Sequence, residues 1–291
     1  MSINGNEEND LLIISDAPKL TAKYKLTEGE VKGGIIFVHG VCHGAWCFKN
    51  FLNFFSKNGY DCFALNLRGH GENGMKDLAG ATLSDYVKDV KDCVDYCKRN
   101  YKERIGDKLF ILGHSMGGAV VQKYIGQYEN TVQGAILFAP ATAGGMNKCK
   151  TGLDTYFLNK KLNIAAKKAS GKKVTADELY LSAFFNSRVD MNDIREYNKL
   201  LQKESKTIIM EDLYKDYSDN HNELSIPVMV IGSEKDIYFP KKSLIKTVSY
   251  YRHVRYELLK DLCHDMMLDP DWMKSAEPVL QFVDNIVRIH T

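Results

Sequence analysis

A mostly parallel α/β sheet is what this sequence predicts, and three observations predict it. Short, wholly apolar runs such as Gly34–Val38 (GIIFV) read as strands covered on both faces. Such runs alternate with segments of helical spacing, which is the pattern of a parallel sheet with helices on both sides. The chain has 291 residues, long enough to bury about 75% of its unfolded surface. One large domain, or one domain with an insertion, is therefore expected.

The elements follow in order. Leu11–Ser15 and Leu20–Leu26 flank Ala17-Pro18 and predict an opening antiparallel pair. After the strand Gly34–Val38, apolar residues at Trp46, Phe48, Phe51, Leu52 and Phe55 predict a helix over Trp46–Lys57. Tyr60–Leu67 is the next strand. Ala81–Tyr101 carries the clearest helical spacing, and Thr82-Leu83-Ser84-Asp85 fits a capping box with Asp in place of Glu. Strand Lys108–Leu112, helix Met116–Tyr128 and strand Val132–Phe138 follow. No proline lies between Pro140 and Pro227, and residues 145–223 are helical and charged in composition, predicting a cap inserted between core segments 1–144 and 224–291. Pro227–Gly232 and Val254–Leu259 return to the sheet, and Trp272–Ile289 closes the chain as a helix.

Composition excludes several function classes. A formal charge of +2 gives no global basicity for nucleic acid, and no run approaches the ~20 apolar residues of a membrane span. The polar, acidic start MSINGNEEND does not read as a targeting peptide, so a cytoplasmic protein is expected. Of the seven cysteines, Cys93 and Cys97 share one apolar helical face, which favours packing over metal or redox chemistry. No cofactor or metal is expected.

The chemistry centres on LGHSMGG, Leu112–Gly118. G-x-S-x-G between a strand and a helix is the pattern of a nucleophile elbow, which holds a serine hydroxyl above the strand ends on a sharp turn. The alternative, a glycine-rich turn with an incidental serine, does not account for the strand before it and the helix after it. A serine needs a base, and the base needs an orienting acid. His264 lies in the loop after the last strand, and Asp236 lies just past the strand before that one. This is the chain order Ser, Asp, His. Glu234 and Asp265 are rival acids. His221, His253 and His290 are poorly placed as bases, whereas His39, His43, His70 and His114 could contact substrate. The loop HGVCHGAW after Gly34–Val38 could supply a second oxyanion donor, the N–H of Val41, beside that of Met116.

HGVCHGAW, LRGHG (Leu67–Gly71), GHSMGG, GSEKDIYFP and CHDMM together resemble the α/β-hydrolase superfamily, from the opening strands to the last helix. The first block resembles plant-type methylesterases and hydroxynitrile lyases. The combination is more similar to bacterial lysophospholipase- or monoacylglycerol-lipase-type serine esterases. The resemblance implies an α/β-hydrolase fold with a helical cap after the sixth strand, and ester hydrolysis through an acyl-enzyme. It implies Ser115 as nucleophile, His264 as base, Asp236 as acid and Val41 and Met116 as oxyanion donors. His39, Gly40, His114, Phe157 and Phe184 are the candidate substrate contacts. Lyases of the fold carry threonine at the position of Gly40 and lysine at that of Asp265, so this chain departs from them.

The expected partner is a small or lipid-like ester, with no nucleic acid and no stable membrane insertion. Between Lys148 and Lys173 there are eight lysines and one acid, Asp154. They form either a basic face toward anionic lipid or a solvated helix face. Tyr156, Phe157, Leu158, Tyr180, Leu181, Phe184 and Phe185 either line an acyl pocket or form the cap's own core. A ligand sensor on the same fold and a hydroxynitrile-lyase-like enzyme are the alternatives.

Overall fold

The computed structural model describes residues 10–146, 184–185, 189–218 and 221–289. Eight strands form one sheet: β1 (Asp10–Asp16), β2 (Lys19–Lys25), β3 (Gly33–Val38), β4 (Tyr60–Asn66), β5 (Leu109–His114), β6 (Gly134–Phe138), β7 (Val228–Ser233) and β8 (Val254–Leu259). Their order is β1-β2-β4-β3-β5-β6-β7-β8. β1 with β2 and β2 with β4 are antiparallel, and the remaining pairs are parallel.

Every residue of β3 is buried, as its unbroken apolar run requires. Alternate residues of that strand face different helices. Ile35 and Phe37 pack with Phe51 and Phe55 of α1 (Lys49–Lys57) and with Val283 of the final helix, which spans Met273–Ile289. Ile36 and Val38 pack in the opposite layer with Val90 and Val94 of α2 (Leu83–Asn100). A short α3 (Lys102–Ile105) leads into β5, and α4 (Met116–Tyr128) follows it on the α2 side.

The sequence expectations shift at several edges. Trp46 belongs to a 3-10 turn, Ala45–Phe48, and α1 begins only at Lys49. α2 starts at Leu83 because Thr82 caps it. Thr82 Oγ1 accepts the Asp85 N–H, and the Asp85 carboxylate accepts the Thr82 N–H. Between β6 and β7 the described residues include α5 (Met191–Leu200) and α6 (Lys206–Met210). The lysine-rich stretch, with Tyr156, Phe157, Leu158, Tyr180 and Leu181, lies outside the described residues. Sequence reading missed α7 (Lys241–Val248), although the parallel pair β7–β8 needs a crossover and a helix commonly supplies it. The final helix is α8.

Chain topology places the site. From β3 the chain crosses to β4 on one side and, through α2, to β5 on the other. Ligands in open α/β sheets bind beyond the carboxyl ends of strands at such a reversal. The loops after β3 and β5 emerge side by side there, since Val38 pairs with Gly113. No helix among the described residues is long and apolar enough to cross a membrane.

Thr82→Ala removes one half of the capping box. It should lower unfolding stability by about 0.5–2 kcal/mol, read as a lower urea midpoint at constant m-value.

Candidate active site

Ser115 sits between β5 and α4 with φ 55° and ψ −117°, a conformation that L-residues rarely adopt. Crowding explains its glycines. A Cβ on Gly113 would lie 2.2 Å from the Gly117 carbonyl oxygen, and one on Gly117 would lie 2.3 Å from that of Val38. The turn is tied down by its own backbone. Ser115 N–H donates to Phe138 O (3.1 Å), while Ser115 O accepts from Gly118 (2.9 Å) and Ala141 (3.0 Å).

His264, in the loop after β8, points Nε2 at Ser115 Oγ (3.0 Å) and Nδ1 at Asp236 Oδ2 (2.8 Å). Asp236 lies just past β7, where its Oδ1 accepts the N–H groups of Tyr238 (2.7 Å) and Phe239 (3.1 Å). All three side chains are almost wholly buried. Burial alone would lower the His264 pKa. The charge and hydrogen bond of Asp236, with a further contribution from Asp265, carry it above the ordinary imidazole value of 6.5. The rival acids are elsewhere: Glu234 is exposed, and Asp265 faces His43 at 3.0 Å.

The loop after β3 lies against the serine. A Cβ on Gly40 would be 2.9 Å from Ser115 Cβ. Three consecutive peptides of this loop are hydrogen-bonded. Gly40 O faces His39 Nδ1 (2.9 Å) and accepts the His43 N–H (3.3 Å). Val41 O faces His43 Nδ1 at 2.7 Å. Cys42, at φ 65°, accepts the Gln202 N–H at 2.9 Å and donates its own N–H to Glu204 at 3.4 Å. Gln202 and Glu204 lie between α5 and α6, and no sequence motif marked them. Glu204 also accepts Tyr86 OH at 2.6 Å and lies 3.2 Å from His70 of LRGHG.

The predicted contact residues separate. His39 and His114 are fully buried. His39 Nε2 accepts the Leu67 N–H at 3.2 Å, which leaves Nδ1 as the donor to Gly40 O. Burial, reinforced by nearby His70, holds its pKa well below the imidazole value. His114 Nε2 lies 3.2 Å from His264 O, and burial followed by the neighbouring His264 lowers the His114 pKa to about 3. The Phe184 ring lies 5.9 Å from that of His264 and 5.4 Å from that of Tyr238. Phe157 lies outside the described residues. His221 is a supporting residue, its Nε2 2.9 Å from Gln122 O.

Metal-ligating atoms of His114, His264 and Asp265 lie within 4.8 Å of one another. Each of the three already has a protein partner: His264 at both ring nitrogens, His114 at a carbonyl and Asp265 at His43. The arrangement is equipped to move a proton between a hydroxyl and an imidazole.

Residues 29–271 match the family described as serine aminopeptidase, S33. The chain belongs to that family of α/β hydrolases. Among solved structures, an esterase from Exiguobacterium antarcticum shares the fold with a TM-score of 0.72 at 18% identity, covering 95% of this chain and 99% of that one. A monoacylglycerol lipase from Paleococcus ferrophilus gives 0.67 at 16% identity, covering 91% and 99%. By sequence, the chain is 28% identical to a putative chloroplastic methylesterase of Arabidopsis thaliana, over 46% of this chain and 32% of the relative. It is 29% identical to a monoacylglycerol lipase of Mycolicibacterium smegmatis, over 38% of each. The chain thus spans only about a third of the length of these family relatives.

With its pKa raised, the His264 ring should keep its second proton at pH 6.5, and Asp236→Asn should shift its titration to lower pH. Ring NMR against pH measures both. A midpoint below 6.5 in the unaltered protein would contradict the electrostatics described.

Proposed function

We propose that this chain is a serine hydrolase that cleaves carboxylic esters through an acyl-enzyme intermediate. The unbroken hydrogen-bond line Asp236–His264–Ser115, at 2.8 and 3.0 Å, carries the reading. Ser115 Oγ attacks the ester carbonyl carbon as its proton passes to His264 Nε2. Asp236 keeps Nδ1 protonated and stabilises the imidazolium. The carbonyl oxygen becomes an oxyanion held by the N–H groups of Val41 and Met116, each worth about 2.7–4 kcal/mol in the transition state. Collapse breaks the bond to the alcohol oxygen, which takes the proton from His264. Water then repeats the sequence on the acyl-enzyme and releases the acid.

Methylesterase and monoacylglycerol lipase relatives support an ester as the substrate class. Gly40 has no room for a side chain beside Ser115, which counts against the threonine-bearing lyases. A pure ligand sensor would have no need of the aligned triad. In the same proposal residues 145–223 form the cap on a core of 1–144 and 224–291, and the protein acts in the cytoplasm without nucleic-acid or inserted-membrane partners. The six described cysteines are free thiols, in keeping with a reducing compartment.

Ser115→Ala and His264→Ala should each abolish p-nitrophenyl ester hydrolysis and fluorophosphonate labelling, leaving no more than ~10³-fold catalysis over water. Asp236→Asn should lose on the order of 10⁴ in kcat. If Glu234→Gln were the worse variant, the acid would be misassigned.

The base must be neutral to act, so kcat/KM should rise with pH through one ionisation above 6.5, following the raised His264 pKa. A flat profile from about pH 5 to 8 would exclude a histidine base.

Short- to medium-chain esters should outperform emulsified triolein. Each methylene accommodated adds about 0.8 kcal/mol until the pocket is full. A p-nitrophenyl series from acetate upward measures this, with amide analogues as the peptidase comparison. Preference for the longest chains, with a rate jump above the solubility limit, would instead make the lysine-rich cap a lipid-docking surface.

A further inference from the structure

Ser115 is not the only residue at this site held where L side chains rarely lie. Cys42, in the loop beside it, has φ 65°. The His43 N–H donates to Gly40 O at 3.3 Å, so residues 40–43 close a turn with Cys42 in third place. Turns with positive φ at that place ordinarily take glycine or asparagine there. Cysteine has a Cβ and no side-chain amide, so its conformation has to be over-determined from outside.

That support comes from the segment between α5 and α6. The Gln202 N–H donates to Cys42 O at 2.9 Å, and the Cys42 N–H donates to Glu204 Oε2 at 3.4 Å. The Glu204 side chain is 1% exposed. Its Oε1 accepts the Ser205 N–H (2.8 Å) and the Tyr86 OH (2.6 Å), and Oε2 lies 3.2 Å from His70 Nε2. A backbone N–H therefore meets each oxygen, one from its own segment and one from the turn. Glutamate offers both of them an acceptor, whereas glutamine offers one oxygen and one NH2 group.

We propose that Glu204 is a positioning residue, which with Gln202 holds the Gly40–His43 turn in its positive-φ form and so aims the Val41 N–H. Gly40 O, the acceptor that closes the turn, belongs to the same peptide as that N–H. Released at Cys42, the turn can rotate its central peptide to the commoner form with φ of about −90° in third place. The rotation pivots at Val41 Cα, to which the proposed oxyanion donor is bonded, and the donor loses its fixed aim.

The inference rests on the proposed hydrolase reading for its kinetic consequence, though not for the turn itself. The test is Glu204→Gln, made both in the unaltered chain and in Cys42→Gly, since glycine keeps a positive φ without outside support. With p-nitrophenyl butyrate, kcat should fall about 10- to 100-fold in Glu204→Gln, up to the cost of losing an oxyanion donor outright. KM should stay within about twofold, because the loss falls on the transition state. In the Cys42→Gly background the same substitution should cost no more than about threefold. Amide exchange gives a readout that needs no activity. The Cys42 N–H should exchange slowly in the unaltered protein and at least about tenfold faster in Glu204→Gln.

A Cys42 amide that exchanges like an open loop in the unaltered protein would overturn the support of the turn, and that measurement needs no variant to fold. Unchanged kcat in folded Glu204→Gln would overturn the positioning role. An equal loss in both backgrounds would do the same, reducing Glu204 to a packing contact. Failure of the unaltered protein to hydrolyse esters or label with fluorophosphonate would instead sink the hydrolase reading, with amide exchange still deciding the turn.

Discussion

The site depends on a steric constraint: β3, β5, α4 and the loop after β3 approach one another at Ser115 with no space for side chains. Hypothetical Cβ atoms on Gly40, Gly113 and Gly117 all fall within 3.0 Å of other atoms. This crowding brings backbone groups near the serine hydroxyl, and it forces the unusual φ at Ser115. A strained residue persists only where its surroundings over-determine it. Here three backbone hydrogen bonds do so, one donated by Ser115 to Phe138 O and two accepted by Ser115 O from Gly118 and Ala141.

Four histidines within this small volume have different partners. His39 accepts at one nitrogen and donates at the other, which suits a neutral ring. His114 is neutral through burial and the neighbouring His264. His264 has a carboxylate on one side and a hydroxyl on the other. His43 lies between two acceptors. Identical side chains thus meet different polarity at each ring edge.

Much of this was legible in the sequence where backbone demands leave a residue signature. The elbow's glycines, the Thr82–Asp85 cap and the apolar β3 run are of this kind, while Asp236 and His264 were legible from their places after the last two strands in the chain order Ser, Asp, His. Partnerships across the chain left no such mark. His43 and Asp265 are 222 positions apart, and Asp265 read only as a rival acid and a departure from lyases. His39 and His114 read as substrate contacts because they stand beside reactive glycine loops. In the structure both rings are buried and lie at hydrogen-bonding distance from backbone carbonyls. α7 escaped notice because KKSLIKTV is short and its apolar positions are few.

The Cys42 peptide groups are held from both sides by the segment between α5 and α6, through Gln202 and Glu204. The same segment is held further by the Gly71 N–H, which donates to Gln202 Oε1, and by Tyr86 OH, which donates to Glu204 at 2.6 Å. Any displacement of that segment therefore also frees the Cys42 peptide groups in the loop beside Ser115.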